Sequence, residues 1–164
     1  MNRLIAATLA VASIGAIAEE AVITGNVESK CVINTDINGV FGNPTAGTLS
    51  TLPTDGGVMP IIRYDVALGD AYTAKITTPN NFSTSPALSD AVVWTGDVEV
   101  SEVSDSAMAD YETDKVEYEY STEFDMHTAG TTWFKVTSKA EYGYGKAYPA
   151  GTYRAIVMAE CIAN

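Results

Sequence analysis

Residues 21–35 read AVITGNVESKCVINT, and the use made of this stretch decides the fold. Its apolar and small residues fall at every second position. Ile23, Gly25, Val27, Ser29, Cys31 and Ile33 share one face of an extended chain, and Thr24, Asn26, Glu28 and Lys30 share the other. A period of two marks a strand with one buried face. The stretch also holds one of only two cysteines; the other, Cys161, stands three residues from the C-terminus.

Upstream, residues 1–18 read as a secretory signal peptide. Arg3 gives a short positive start, Leu4 to Ile17 form an apolar run, and Ala16-Ile17-Ala18 is a small-x-small cleavage pattern. The run is shorter than the roughly 20 apolar residues of a membrane-spanning helix, so no membrane insertion of the mature form is expected. The chain divides into the signal, an N-terminal strand over 19–30 that is a candidate donor strand, and a domain over 31–164. Export through the periplasm to the cell exterior follows from this reading. Two cysteines in an exported chain allow one intramolecular pair, Cys31 with Cys161, against free thiols or an intermolecular bridge. The pair would set the first and last strands side by side. Chain entropy assigns such a long loop about 5 kcal/mol at most.

The formal net charge is −12, from 9 basic and 21 acidic residues. Such a surface repels nucleic-acid phosphates and anionic lipid, which excludes nucleic acid as a partner class. The chain of 164 residues is long enough for one domain with a real core.

Working outward from 21–35, the rest of the chain repeats the short alternating theme between Gly, Pro, Asn and Asp clusters, which reads as an all-β sandwich. Asp36-Ile37-Asn38-Gly39 is a turn signal, and 41–47 reads as loop with Gly42-Asn43-Pro44 as a breaker. Strands are expected over 48–52, 59–68 and 72–77, the last two joined as a hairpin at Gly69-Asp70. A second hairpin is expected over 90–104, turning at Gly96-Asp97. Residues 104–114 suit a helical turn, and 115–122 a strand with Val116, Tyr118 and Tyr120 on one face. Residues 131–139 form another strand, Tyr142 to Gly145 a turn, and 151–162 the last strand. There Tyr153, Ala155, Val157, Ala159 and Cys161 line up inward. Eight to nine strands are expected, in an Ig-like antiparallel sandwich that a donor strand either completes or does not.

Catalytic chemistry finds little to use, and no enzyme is expected. The single histidine, His127, follows Asp125-Met126 without a nucleophile motif. Glu117 and Glu119 lie on one strand face but define no cleft for paired-carboxylate work. Asn34, Asp36 and Asn38 are calcium candidates, being oxygen ligands at alternate positions before Gly39. The pattern fails at Thr45, where a bidentate Glu is required. No cofactor is expected. Tyr142, Tyr144, Tyr148 and Trp133 are candidates for a glycan platform near the last turn.

Two segments carry a resemblance. Gly25-Asn26-Val27 with Cys31-Val32-Ile33, and Tyr148 to Val157 (YPAGTYRAIV), resemble the two ends of chaperone–usher pilins, archaic pilins and spore-coat-U-like domains. The resemblance covers about 30 residues of the chain's ends. It implies an incomplete Ig-like sandwich, a fibre built by strand exchange, and a periplasmic chaperone and usher as partners. This chain departs from the pattern in carrying its second cysteine in the last strand. In the donor reading Ile23 and Val27 fill pockets of a neighbouring subunit and Gly25 permits close approach between them. The expected function is therefore a secreted subunit of an extracellular bacterial fibre, pilus or matrix. The alternative is a monomeric secreted binding module for glycan or cation, in which residues 19–30 complete their own sandwich.

Overall fold

The computed structural model describes residues 22–25 and 30–164. The expected signal peptide over 1–18 and the donor residue Val27 lie outside the described residues. In chain order the strands are β1 (Cys31–Ile37), β2 (Gly42–Thr45), β3 (Thr48–Ser50), β4 (Ile61–Val66), β5 (Tyr72–Thr77), β6 (Val92–Val103), β7 (Val116–Glu117), β8 (Ser121–Asp125), β9 (Gly130–Tyr142) and β10 (Met158–Ala163). One short helix, α1, spans Tyr111–Asp114. The strands make two antiparallel sheets, of six and four strands, packed as a sandwich.

In the larger sheet β9 is central. One flank of β9 pairs with β6 along most of its length. The other flank pairs with β4 and then, further along, with β3. Residues 52–59 leave the sheet between β3 and β4, turning through Pro53–Asp55 as the Pro-Gly cluster required. The column of backbone beside β9 is thus interrupted close to Ser138, where Thr51 N–H donates to Ser138 O at 2.9 Å and Val136 N–H donates to Pro60 O at 3.1 Å. β1 is the free edge of this sheet beyond β4, and β10 is the free edge of the smaller one, ordered β10-β5-β8-β7.

Alternation explains the core. Ile62, Tyr64 and Val66 of β4, Phe134 and Val136 of β9, and Ala74 and Ile76 of β5 all turn inward and are buried. Tyr64 spans the layers: its fully buried ring puts the hydroxyl between Lys75 O at 3.2 Å and Glu160 O at 3.1 Å, on the adjacent strands β5 and β10 of the opposite sheet. Burial pushes the Tyr64 phenol up, only partly offset by the hydrogen bond to Glu160. A second, aromatic cluster fills the other end of the sandwich, built on Leu49, Trp94 and Ala140 with Phe41, Phe82, Tyr148 and Tyr153 against them.

Several expectations are corrected. β4 and β5 form no hairpin: Asp70, at φ 59°, carries the chain from one sheet to the other, because both strands bury an inward face on the shared core. The segment over 90–104 is one strand of 12 residues rather than two. Gly96 serves close packing, not a turn, since a Cβ there would sit 2.8 Å from Thr137 O and 3.0 Å from Thr78 Cβ. The strand expected over 115–122 is broken. Tyr118 N–H donates to Ser121 O at 2.7 Å and reverses the chain between β7 and β8, leaving Val116 and Tyr118 exposed. β1 runs through Asp36 and Ile37 instead of turning, absorbing the extra residue in a register shift after Thr35. The 41–47 loop contains β2, whose Gly42 lies so close to the 55–57 turn that a Cβ would collide with Asp55 O. The helical turn over 104–114 is present as a 3-10 turn at Ser106–Met108, capped by Asp105, followed by α1.

Candidate functional site

The two cysteines are joined. Cys31 and Cys161 form a disulfide with their Cα atoms 6.4 Å apart, tying the edge strand of one sheet to the edge strand of the other. The bond fits an oxidising compartment outside the cytoplasm. Among the described residues no helix is long and apolar enough to cross a membrane.

β1 runs away from the disulfide toward Val40, and the chain returns to it through residues 151–157. Between these two segments lies a groove of about 820 Å³. Thr35, Asn38, Gly39 and Val40 line one side, and Gly151 with 153–157 the other. Phe41, Leu49, Thr51, Ile62 and Ser138 line it from β3, β4, β9 and the adjoining loop. Its surface is therefore mixed, with apolar side chains beside hydroxyls, Asn38 and Arg154.

The 151–157 side has an unusual backbone. Tyr153, Ala155 and Val157 are half-buried while Arg154 and Ile156 are exposed, the alternation expected of a strand. The β10 ladder nevertheless stops at Met158 opposite Thr77. Further back there is only an isolated bridge, Thr84 to Arg154. Residues 155–157 are thus extended but outside any ladder among the described residues. Exposed extended backbone of this kind is a template for another strand. Ile156 and Met158, 60% and 56% exposed, carry an apolar strip along the same edge.

Two polar atoms at this end lack partners. Ser138 Oγ and Tyr148 Oη are buried without a hydrogen bond among the described residues. Tyr148 stacks on Tyr142 at 5.1 Å and meets Tyr153 at 5.0 Å, and burial pushes its phenol up to about 12. Charge is also uneven. Among the described residues every Lys and Arg lies within 4.0 Å of a carboxylate except Lys30 and Arg154, the latter on the groove.

The candidate donor-strand residues stand apart from this domain where they are described. Val22 and Ile23 are 81% and 96% exposed, and no heavy atom lies within 4 Å of a Cβ placed on Gly25. The calcium candidates are dispersed. Asn34 donates to Asp65 Oδ2, Asp36 is paired with Arg63 at 3.2 Å and accepts from Trp133 Nε1 at 2.9 Å, and Asn38 lines the groove. Among the described residues no three His, Cys, Asp or Glu side chains are grouped to hold a metal ion.

The glycan candidates also separate. Tyr142 is buried, Tyr148 sits in the aromatic cluster, and Trp133 lies on β9 with its indole N–H tied to Asp36. Only Tyr144 presents its whole ring, beside a shallow cleft of about 620 Å³ lined by Thr45, Thr48 and Glu141. His127 bridges Asp110 and Thr128, at 3.1 and 2.9 Å, and packs edge-on against Tyr111.

The groove itself escaped the sequence reading, because its lining comes from six separated segments. The one available signal was the inward stripe at Tyr153, Ala155 and Val157, which is longer than the ladder that follows it. No family model matches the chain, and none of the curated proteins matches it.

Proposed function

We propose that the chain is a secreted structural subunit of an extracellular fibre, assembled head to tail by strand addition. In this reading the segment before Cys31 of one copy enters the groove of the next. Ile23 and Val27 fill apolar pockets among Phe41, Leu49 and Ile62, and Gly25 allows the main chain to approach. The observation that carries the reading is the groove flanked by 155–157, an extended edge outside any ladder. An added strand would satisfy that backbone and cover the apolar lining at once. Because donor and acceptor are different surfaces of one chain, the contact is heterologous and does not close, so it propagates a fibre. The acidic donor segment, with Glu19, Glu20 and Glu28, also complements the unpaired Arg154. The resemblance to pilins fits this reading and adds a periplasmic chaperone and usher as partners during export.

The test is assembly itself. Purified chain is expected to form concentration-dependent ladders that resist heat and detergent, and Ile23→Asp is expected to abolish them while the domain stays folded. A chain that remains monomeric at all concentrations by light scattering would overturn the proposal. A second reading, a monomeric glycan-binding module, is favoured by the fully exposed Tyr144 beside its cleft. Under it, the unaltered chain stays monomeric and Tyr144→Ala removes binding to immobilised glycans.

A further inference from the structure

The inward face of β9 reads Thr132, Phe134, Val136, Ser138, Ala140 and Tyr142, and between Phe134 and Ala140 the Ser138 hydroxyl interrupts an apolar stripe. Ser138 is 4% exposed, and it lines the groove. Its main chain is fully occupied by Thr51, whose hydroxyl accepts from Ser138 N–H at 2.8 Å and donates to Ser138 O at 3.3 Å. That leaves no Thr51 proton for the Ser138 side chain, and Ser138 Oγ has no partner among the described residues. A buried hydroxyl without a hydrogen bond costs free energy that an alanine would not. A groove occupant that brings a polar group to this point would recover the cost. An apolar molecule cannot do so. An extended peptide can, since it carries an N–H and a C=O at every residue.

Building on the strand-capture reading above, we propose that Ser138 is the specificity-determining residue of the groove. Its hydroxyl hydrogen-bonds to the main chain of the entering strand, so the groove selects a peptide over an apolar molecule of similar bulk. Ser138 lies beside the interruption between β3 and β4, where Thr51 and Pro60 take up the β9 main chain in place of a continuous ladder, and it lines the groove there.

The proposal gives Ser138→Ala two effects of opposite sign. The free domain gains stability, because an orphan hydroxyl is removed, and the complex loses affinity, because a hydrogen bond is removed. A merely structural serine would not separate the two. The experiment titrates the chain against a fluorescent synthetic peptide of residues 19–30, and separately against the hydrocarbon dye diphenylhexatriene, with urea unfolding of each variant in parallel. Ser138→Ala is expected to weaken the peptide about five- to tenfold, the effect of one hydrogen bond, to leave dye binding unchanged or tighter, and to raise the urea midpoint. Ser138→Thr, which keeps the hydroxyl, is expected to restore peptide affinity. Equal or tighter peptide binding by Ser138→Ala would overturn the role of Ser138 while leaving strand capture standing. Failure of the unaltered chain to bind the peptide at all would overturn strand capture and the Ser138 assignment with it.

Discussion

The two ends of the gap between the sheet edges are built in opposite ways. At one end the Cys31–Cys161 disulfide joins β1 to β10, and Tyr64 reaches across the core to hydrogen-bond both β5 and β10. Every polar group named there has a partner. At the other end the same two edges diverge around a groove, and, among the described residues, 155–157 lie outside any ladder and Ser138 Oγ has no hydrogen bond. One sandwich therefore carries a locked end and an open end. The contrast teaches that the disulfide does more than stabilise. It holds the two edges at a fixed separation, so that the far end can stay open without the sheets drifting apart.

The largest way to break this contrast is to unlock the closed end. Replacing both Cys31 and Cys161 by serine is expected to lower stability by about 2–5 kcal/mol, read as a fall in the denaturant midpoint that reductant reproduces in the unaltered chain. Next is Tyr64→Phe. Loss of the hydroxyl leaves the Lys75 and Glu160 carbonyls short of a donor, and unfolding should show about 1–3 kcal/mol of destabilisation at unchanged m-value.

Titration sharpens the same point. The Tyr64 phenol is raised in the folded state by burial. Lys115 is raised too: burial opposes its charge, but the hydrogen bonds it donates to Glu112 and Glu117 and the nearby Asp97 carboxylate outweigh that. Groups raised in the fold contribute stability that is whole below their unfolded values, about 10 for Tyr and 10.4 for Lys, and that is lost as pH rises toward the folded ones. Stability should therefore hold up to about pH 10 and then fall, by about 1.4 kcal/mol per pH unit for Tyr64 alone. In Tyr64→Phe the fall should be shallower, and a fall of equal slope would remove Tyr64 from the account. The smallest effect on stability is expected from Ile23→Asp at the open end. With Ile23 at 96% exposure, the folded domain should change by less than about 0.5 kcal/mol, even as assembly is lost.

Much of this was legible in the chain. The period of two gave the all-β sandwich, and the inward stripe ending at Cys161 pointed to its pairing with Cys31. What the local pattern could not supply was which alternating segments share a sheet. Gly69-Asp70 has the composition of a hairpin turn, yet Asp70 passes the chain between sheets, because inward faces on β4 and β5 can meet only across a core. Gly96 looks like a turn residue for the same compositional reason, while its real constraint, the nearness of Thr78, comes from 18 positions away in sequence. The groove was hidden for a related reason. Phe41, Leu49, Ile62, Ser138 and Val157 are each ordinary inward residues of their own segments. Only the tertiary divergence of β1 from 151–157 turns them into one lining. Of the donor residues, Ile23 and Gly25 were named from alternation, and the structure adds that both are uncovered by their own domain.

Amide hydrogen exchange across a concentration series tests the central claim most directly. Followed by mass spectrometry, it compares residues 22–28 with residues 155–157 in the same sample. Strand addition predicts that both segments exchange fast in dilute monomer and become protected together as the chain assembles, while β4 and β9 stay protected throughout. Protection of both segments in the dilute monomer, or assembly that leaves 155–157 exchanging freely, would contradict it.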